Sequence, residues 1–285
     1  MKKISIFIRT HNEAKWLGKT LRQVMAQHMK ADEVVVLDND SSDETCAIAS
    51  SFGAVVKNIP QKEFTYGRAL NRSLLYTTGD IIVFLSAHSP PVNRFWLKNL
   101  VRPILISEAS VSFGRQIPMP GVNVFEEWNI YRAFPKQPGP IKKILHFQNI
   151  NFSNANAAVS SSFLKTMPFS EEISFAEDLE WAHRVVKAGQ HIQYCPDAVV
   201  YHSHELDINR LTDRTVNIGK AMRQQGMGEI YQNPLVFKSI FCATIIVDLV
   251  YCCFRGYWKK IPEITKYRTA FLKGLKQGLN RDENE

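Results

Sequence analysis

The chain has 285 residues, 45% of them hydrophobic, which is enough to bury one large core without dividing into independent halves. Its formal net charge of +8 and pI near 9.2 admit nucleic acid, anionic lipid or an anionic small substrate as partner, so the position of the charge has to decide. The five cysteines are odd in number and none pairs at the two-residue spacing of a zinc or dithiol motif, so they read as reduced and structural.

Met1-Lys2-Lys3 leads into a strand-like Ile4-Ser5-Ile6-Phe7-Ile8 with no apolar stretch of signal-peptide length, so the folded part is expected in the cytoplasm. A helical period follows over residues 14–27, with apolar Trp16, Leu17, Leu21, Val24 and Met25. Residues 33–37 form a second apolar strand ending at Asp38. Ser41-Ser42-Asp43-Glu44 then sets a capping serine three residues before a glutamate, which predicts a helix running to Gly53. A short strand over 54–56, a helix over 66–76, a Gly79-Asp80 turn and a strongly apolar strand over 81–85 come next. Residues 116–153 are rich in Pro, Gly and aromatics and predict loops around a cleft. Regular structure resumes with a helix from about 177 to 188, ended by Gly189, and two short strands over 191–194 and 198–201. Beyond His204 the pattern is helical.

Repeated strand-helix alternation implies a largely parallel sheet with helices on both faces, and ligands of such sheets sit beyond the carboxyl ends of the strands. Thr10-His11-Asn12-Glu13, Asp38-Asn39-Asp40 and Ser86-Ala87-His88 each follow a strand. A carboxylate at a strand end accepts hydrogen bonds from a pyrimidine imide and a ribose hydroxyl, which makes Asp38 the candidate for the base and Thr10, Asn12 and Glu13 candidates for the nucleoside. The alternative is that Thr10 or Asn12 caps the first helix and Asp38 the second.

Ser5-Ile6-Phe7-Ile8-Arg9-Thr10-His11-Asn12-Glu13, followed by Val36-Leu37-Asp38 and Ser41-Ser42-Asp43-Glu44-Thr45, resembles the nucleotide-binding start of glycosyltransferase family 2. Phe64-Thr65-Tyr66-Gly67-Arg68-Ala69-Leu70-Asn71, Gly79-Asp80-Ile81-Ile82-Val83-Phe84-Leu85-Ser86 and Glu177-Asp178-Leu179-Glu180-Trp181 are similar to that family's bacterial, rhamnosyltransferase-like branch in order and spacing. The resemblance covers about the first 205 residues. It implies an α/β fold of GT-A type, a Rossmann-like, mostly parallel sheet flanked by helices, with a helical C-terminal tail. It also implies a nucleoside-diphosphate sugar as donor and inverting transfer to an acceptor hydroxyl. Arg68, Asn71 and Ser86 join the nucleotide-binding candidates on this ground, although Leu70 stands where many members have arginine.

Enzymes of this fold usually place Asp-x-Asp after the fourth strand to hold a divalent cation, Mn²⁺ or Mg²⁺, and this chain has Ser86-Ala87-His88. A neutral imidazole still ligates Mn²⁺, so His88 is a candidate ligand with Ser86 a weak or water-mediated one. The resemblance implies that a histidine of Tyr201-His202-Ser203-His204 joins it, and His202 is favoured. The alternative is a metal-free site in which His88 hydrogen-bonds the diphosphate and Arg68, Arg72 or Arg115 neutralises it.

Inverting transfer needs a base for the acceptor proton, and Asp178 at a helix start matches the family's catalytic Glu-Asp position, with Glu177 in support. The plainer reading has both acids stabilising a helix N-terminus. Asn154 and Asn156 are candidates for the donor sugar or acceptor, against ordinary turn roles, and Trp181 for an acceptor platform, against a place in the core.

Residues 237–254 are apolar but interrupted by Lys238 and Asp248, and fall short of an uninterrupted span. Eight Lys or Arg and one acid lie between Arg255 and Arg281, which fits a helix lying on anionic lipid better than a nucleic-acid surface. Packing on the catalytic domain or on a second copy in a homodimer is the alternative. The expected organisation is a catalytic domain over 1–205, with nucleotide-binding and acceptor parts dividing near 115, and a helical region over 206–285. The expected function is transfer to a lipid-linked saccharide for surface polysaccharide. A catalytically silent sugar-nucleotide-binding protein is the rival, because the Asp-x-Asp carboxylates are missing.

Overall fold

Strand β1 (Ile4–Thr10) is buried along almost its whole length and pairs in parallel with β2 (Glu33–Asp38) on one side and β4 (Ile81–Ser86) on the other. This is why both strands read as continuous apolar runs: helices cover both faces. The computed structural model describes residues 2–136, 139–141, 152–173, 175–204, 208–224 and 233–280. The chain divides into two compact units, Met1–Ile117 with Phe134–His202, and Pro118–Ala133 with Ser203–Glu285.

The first unit carries an eight-stranded sheet of order β3-β2-β1-β4-β7-β5-β8-β6, where β3 is Val55–Asn58, β5 Val111–Ile117, β6 Gly139–Ile141, β7 Asn156–Ser160 and β8 Ile192–Tyr201. Strands β6 and β7 run antiparallel to their neighbours and the remaining pairs are parallel, the mostly parallel sheet the alternation predicts. Helix α1 (Ala14–Met25) buries Leu17, Leu21 and Val24, while Trp16 and Met25 stay partly exposed. These three side chains join Ile6, Ile8, Val83 and Leu85 in the main core.

Local chemistry departs from expectation at several points. Helix α2 (Thr45–Ser51) has Glu44 at its N-cap and no capping box, because Ser41 turns back to Asp38 and Asp43 takes the Thr45 N–H at 3.0 Å instead. The helix expected over 66–76 is two helices, α3 (Tyr66–Asn71) and α4 (Ser73–Tyr76), split where the Ser73 hydroxyl donates to the Leu70 carbonyl at 2.6 Å. The two strands expected around Pro196 are one, β8, whose register against β5 slips between Gly114 and Arg115 as Pro196-Asp197 pass without ladder bonds. Helix α5 (Trp96–Leu105) was not foreseen; it buries Trp96, Leu97, Leu100 and Val101. Residues 116–153, expected as loops, include helix α6 (Val124–Ala133) and β6, with 137–138 and 142–151 outside the described residues. Helices α7 (Ser161–Thr166) and α8 (Glu177–Lys187) complete the first unit.

The second unit gathers α6 with α9 (Ile208–Gln224), α10 (Pro234–Arg255) and α11 (Glu263–Leu279). Helices α9 and α11 approach closely: a Cβ on Gly278 would lie 2.0 Å from the Val216 carbonyl oxygen, and one on Gly219 2.5 Å from that of Leu275. Phe125, Leu211, Cys252, Ile264 and Tyr267 form its core. The Pro118–Ala133 segment, expected in the acceptor part, belongs to this unit. Helix α10 has 22 residues, and its Leu235–Arg255 stretch is long and apolar enough to cross a membrane, so the expected shortfall in length is not met.

Candidate functional site

The carboxyl ends of β1, β2 and β4 are close together because the strands are in parallel register, with Thr10 opposite Asp38 and Arg9 opposite Ser86. Thr10 and Asp38 are buried, and Thr10 Oγ1 donates to Asp38 Oδ1 at 2.8 Å. Asp38 also accepts from the Ser41 N–H at 2.9 Å and the Ser41 hydroxyl at 2.6 Å. Asn12, at φ 52°, accepts the Ser42 N–H at 2.8 Å, so the two strand-end loops are sewn together. Three of Asp38's roughly four acceptor positions are thereby taken, and the Cys46 thiol bonds the same carboxylate.

Glu13 Oε1 lies 2.8 Å from His88 Nδ1. His88 stacks on His202, with ring centroids 5.1 Å apart and planes 12° from parallel. His202 Nδ1 lies 2.7 Å from Gln116 Oε1. Both oxygens accept, so a proton on each Nδ1 would satisfy them and would leave Nε2 as the nitrogen able to act as a ligand. A ligand nitrogen of each histidine lies within 4.8 Å of the other, and Ser86 Oγ is 3.3 Å from His88 Nε2. A donor set of two imidazoles and a hydroxyl suits Mn²⁺ better than Mg²⁺.

Asp178 is the second residue of α8, which follows Ala176 at φ 61°, a left-handed conformation that a side chain rarely adopts. Desolvation and the adjacent Glu177 carboxylate push the Asp178 carboxyl up to about 7, against the smaller opposing pull of the Leu179 N–H, Arg9 and the Asn154 N–H. Arg9 reaches Glu177 at 3.6 Å. Consecutive residues of β1 therefore hold the two acidic centres: Arg9 holds Glu177, and Thr10 holds Asp38.

Buried polar atoms without a protein partner gather at this same sheet edge. They are Asn39 Oδ1 after β2, Ser89 Oγ after β4, Gln116 Nε2 in β5, and both amide atoms of Asn154. Asn154 precedes β7, which runs antiparallel to β4, so its start lies at β4's carboxyl end. Such orphans are costly in a protein interior and mark a surface completed by ligand or water. Arg9 and Asn39 lie inside the strand-end segments without an expected role, and Gln116 lies in β5, a strand that shows no clear period in the sequence.

Three expected site residues are corrected. Asn156 is fully buried and spends its amide on the Trp96 indole N–H at 2.8 Å, the Ala198 carbonyl at 2.8 Å and the Arg115 carbonyl at 3.2 Å. Trp181 is fully buried, stacks on Phe169 at 4.6 Å and donates to the Met167 carbonyl at 2.7 Å, so it belongs to the core and offers no platform. Asn71 accepts the Phe169 N–H at 2.9 Å and gives both amide hydrogens, to the Phe169 carbonyl and Glu171 at 3.0 Å each, which commits it to clamping the 169–171 loop. Arg68 pairs with Glu171 at 2.9 Å, Arg72 with Glu63 at 2.8 Å, and Arg115 donates to the Phe134 carbonyl at 3.2 Å.

Residues 5–167 match the model of Glycosyl transferase family 2. The chain belongs to that family. This glycosyltransferase is 30% identical over 210 residues to the O-antigen chain rhamnosyltransferase RfbN of Salmonella typhimurium, covering 71% of this chain and 67% of that protein. It is 27% identical over 213 residues to the O-antigen chain rhamnosyltransferase WbaN of Salmonella anatum, covering 72% and 67%. These relatives place it in the family's bacterial, rhamnosyltransferase-like branch. In fold it is similar to the mannosyltransferase PcManGT from Pyrobaculum calidifontis, solved with GDP-Man and Mn²⁺, at a TM-score of 0.64 and 17% identity over 98% of this chain and 87% of that one. Glucosyl-3-phosphoglycerate synthase from Mycobacterium tuberculosis, solved with Mn²⁺, UDP and glucosyl-3-phosphoglycerate, gives a TM-score of 0.57 and 20% identity over 79% of this chain and 81% of that one. The enzyme has the GT-A fold.

Proposed function

We propose that this glycosyltransferase moves a sugar, with inversion, from a nucleoside-diphosphate sugar to the hydroxyl of a lipid-linked saccharide during surface polysaccharide synthesis. The reading places it at the cytoplasmic face of an anionic membrane, as the RfbN and WbaN relatives are O-antigen chain enzymes and the tail is basic and apolar. The observation that carries it is the place of Asp178 in the first turn of α8, beside Glu177, which Arg9 of β1 reaches at 3.6 Å; there desolvation and the Glu177 charge push the Asp178 carboxyl up to about 7, which suits a base for neutral-pH chemistry.

Asp178 takes the acceptor proton as the acceptor oxygen bonds to the anomeric carbon. The bond from that carbon to the diphosphate breaks on the opposite side, and its electron pair leaves with the nucleotide. Arg9 steadies Glu177 so that the paired acids share one site without both repelling the substrate. The Asn154 amide supplies hydrogen bonds to sugar hydroxyls, and the loop built on Asp38, Asn12 and Ser41 receives the nucleoside. A divalent cation bound through Nε2 of His88 and His202 would supply positive charge against the diphosphate.

The missing Asp-x-Asp carboxylates support a second reading, a sugar-nucleotide binder without catalysis. Thermal-shift screening against UDP-, GDP- and dTDP-sugars with and without Mn²⁺, followed by nucleotide release from wild type and Asp178→Asn, separates the two. Release that depends on Asp178 supports transfer. Binding without release under any metal leaves the silent binder.

A further inference from the structure

We infer that the outer half of α10 is a membrane-contact surface that lies in the plane of an anionic bilayer's interface and does not cross it. This inference rests on the membrane-surface reading above and names the surface and its orientation.

At 3.6 residues per turn, Leu235, Cys242, Ala243, Ile246, Val247, Leu249, Val250 and Phe254 fall on one half of the helix circumference. All are exposed, Leu235 at 77%, Ile246 at 60%, Val250 at 62% and Phe254 at 87%. Lys238 and Ser239 are the polar residues of that arc, both near its N-terminal end. An apolar half-cylinder of this kind, in water, marks an interaction site.

The other half is tied to the protein by polar groups that hydrocarbon would not tolerate. Asp248 is 1% exposed and holds Arg268 of α11 in a two-pronged pair, at 2.5 Å and 2.6 Å. One turn on, Tyr251 donates to Glu127 of α6 at 2.7 Å, and Arg255 reaches the same carboxylate at 3.0 Å. A spanning orientation would either break this seam or carry its charges into the bilayer core. Lying flat keeps the seam on the protein side and gives the apolar half to lipid.

Charge selects the occupant. Lys238 at one end of the helix and Lys259 beyond the other flank the apolar arc, with Trp258 62% exposed beside Lys259, while Arg255 and Lys260 there pair with Glu127 and Glu263. Basic residues with an interfacial tryptophan suit anionic headgroups, whereas a second copy docked here would bring like charges together.

The test uses the full chain and vesicles of phosphatidylcholine with phosphatidylglycerol, compared with phosphatidylcholine alone. Wild type is expected to float with the anionic vesicles, and Ile246→Asp with Val250→Asp to lose binding at least tenfold while melting at the wild-type temperature, since both side chains are exposed. Fluorophores on Leu235→Cys, Ile246→Cys and Phe254→Cys, in a Cys242→Ser background, are expected at one shallow depth by brominated-lipid quenching. A deep central probe between shallow ends would show a spanning helix and overturn the inference. Equal flotation of the double aspartate variant would overturn the face assignment alone, and no flotation of wild type would remove the membrane reading with it. A dimer dispersed by the double variant, without lipid binding, would assign the face to a second copy. Nucleotide release from a soluble acceptor reaction reports on the transfer reading independently of every one of these results.

Discussion

Glu13 Oε1 lies 2.8 Å from His88 Nδ1, although 75 residues separate them in the chain. Gln116 Oε1 does the same for His202 Nδ1 at 2.7 Å across 86 residues. Two oxygens from outside the expected ligand set thus orient two stacked imidazoles.

If those oxygens hold metal ligands in place, Glu13→Ala and Gln116→Ala should each weaken Mn²⁺ binding about 10- to 100-fold. Glu13→Gln keeps an acceptor and should lose less. Titration of free Mn²⁺ by electron paramagnetic resonance reads this without any turnover. Wild-type affinity in both alanine variants would remove their positioning role.

Desolvation and Glu177 push the Asp178 carboxyl up to about 7, and only its ionised form accepts a proton, so kcat/KM should rise with pH and level off above about 7. Glu177 raises that pKa, so Glu177→Gln should move the rise to lower pH. Arg9 lowers it, so Arg9→Met should move the rise the other way. Asp178→Asn should lower kcat by about 10²- to 10⁴-fold across the range. A flat profile in wild type would count against Asp178 as the base.

Asn154 and Asn156, two residues apart, should behave oppositely. Asn156→Ala leaves the Trp96 indole N–H and the Ala198 carbonyl without partners in the core, and should cost about 3 kcal/mol of stability. Denaturant unfolding measures it.

Asn154→Ala removes an amide that bonds nothing in the protein, so stability should change by less than about 1 kcal/mol while KM for donor or acceptor rises. A large loss of stability with unchanged KM would make Asn154 an ordinary core residue.

The Asp248–Arg268 pair is buried on both sides, so Asp248→Ala strands a guanidinium and should cost about 3 to 5 kcal/mol. Replacing both with Leu and Met should recover most of that. Thermal unfolding of the two variants and the double variant checks it.

Much of the fold was legible because it depends on short-range pattern. Continuous apolar runs at 4–8, 33–37 and 81–85 can be buried on both faces only in a covered parallel sheet, and Gly53 and Gly189 take the left-handed turns that end α2 and α8. Order and spacing of the strand-end motifs placed Thr10, Asp38 and Ser86 at one edge. Helix α5 and the unity of β8 were not legible, since α5 carries Pro103 inside it and β8 carries Pro196, each of which reads locally as a break.

Which polar residues face the site was decided by tertiary structure alone. Asn154 and Asn156 have the same side chain two residues apart, yet Asn156 opens β7 and meets Trp96 and the β8 backbone, while the Asn154 amide meets no protein atom it can bond. Hydrogen-bond partners come from distant segments, and a side chain's identity fixes what it can donate or accept but never who stands opposite. The sequence therefore determined the parallel half of the sheet and the strand-end places of Thr10, Asp38 and Ser86. Packing decided that Trp181, Asn71 and Asn156 would be spent on the scaffold and that Glu13 would hold His88.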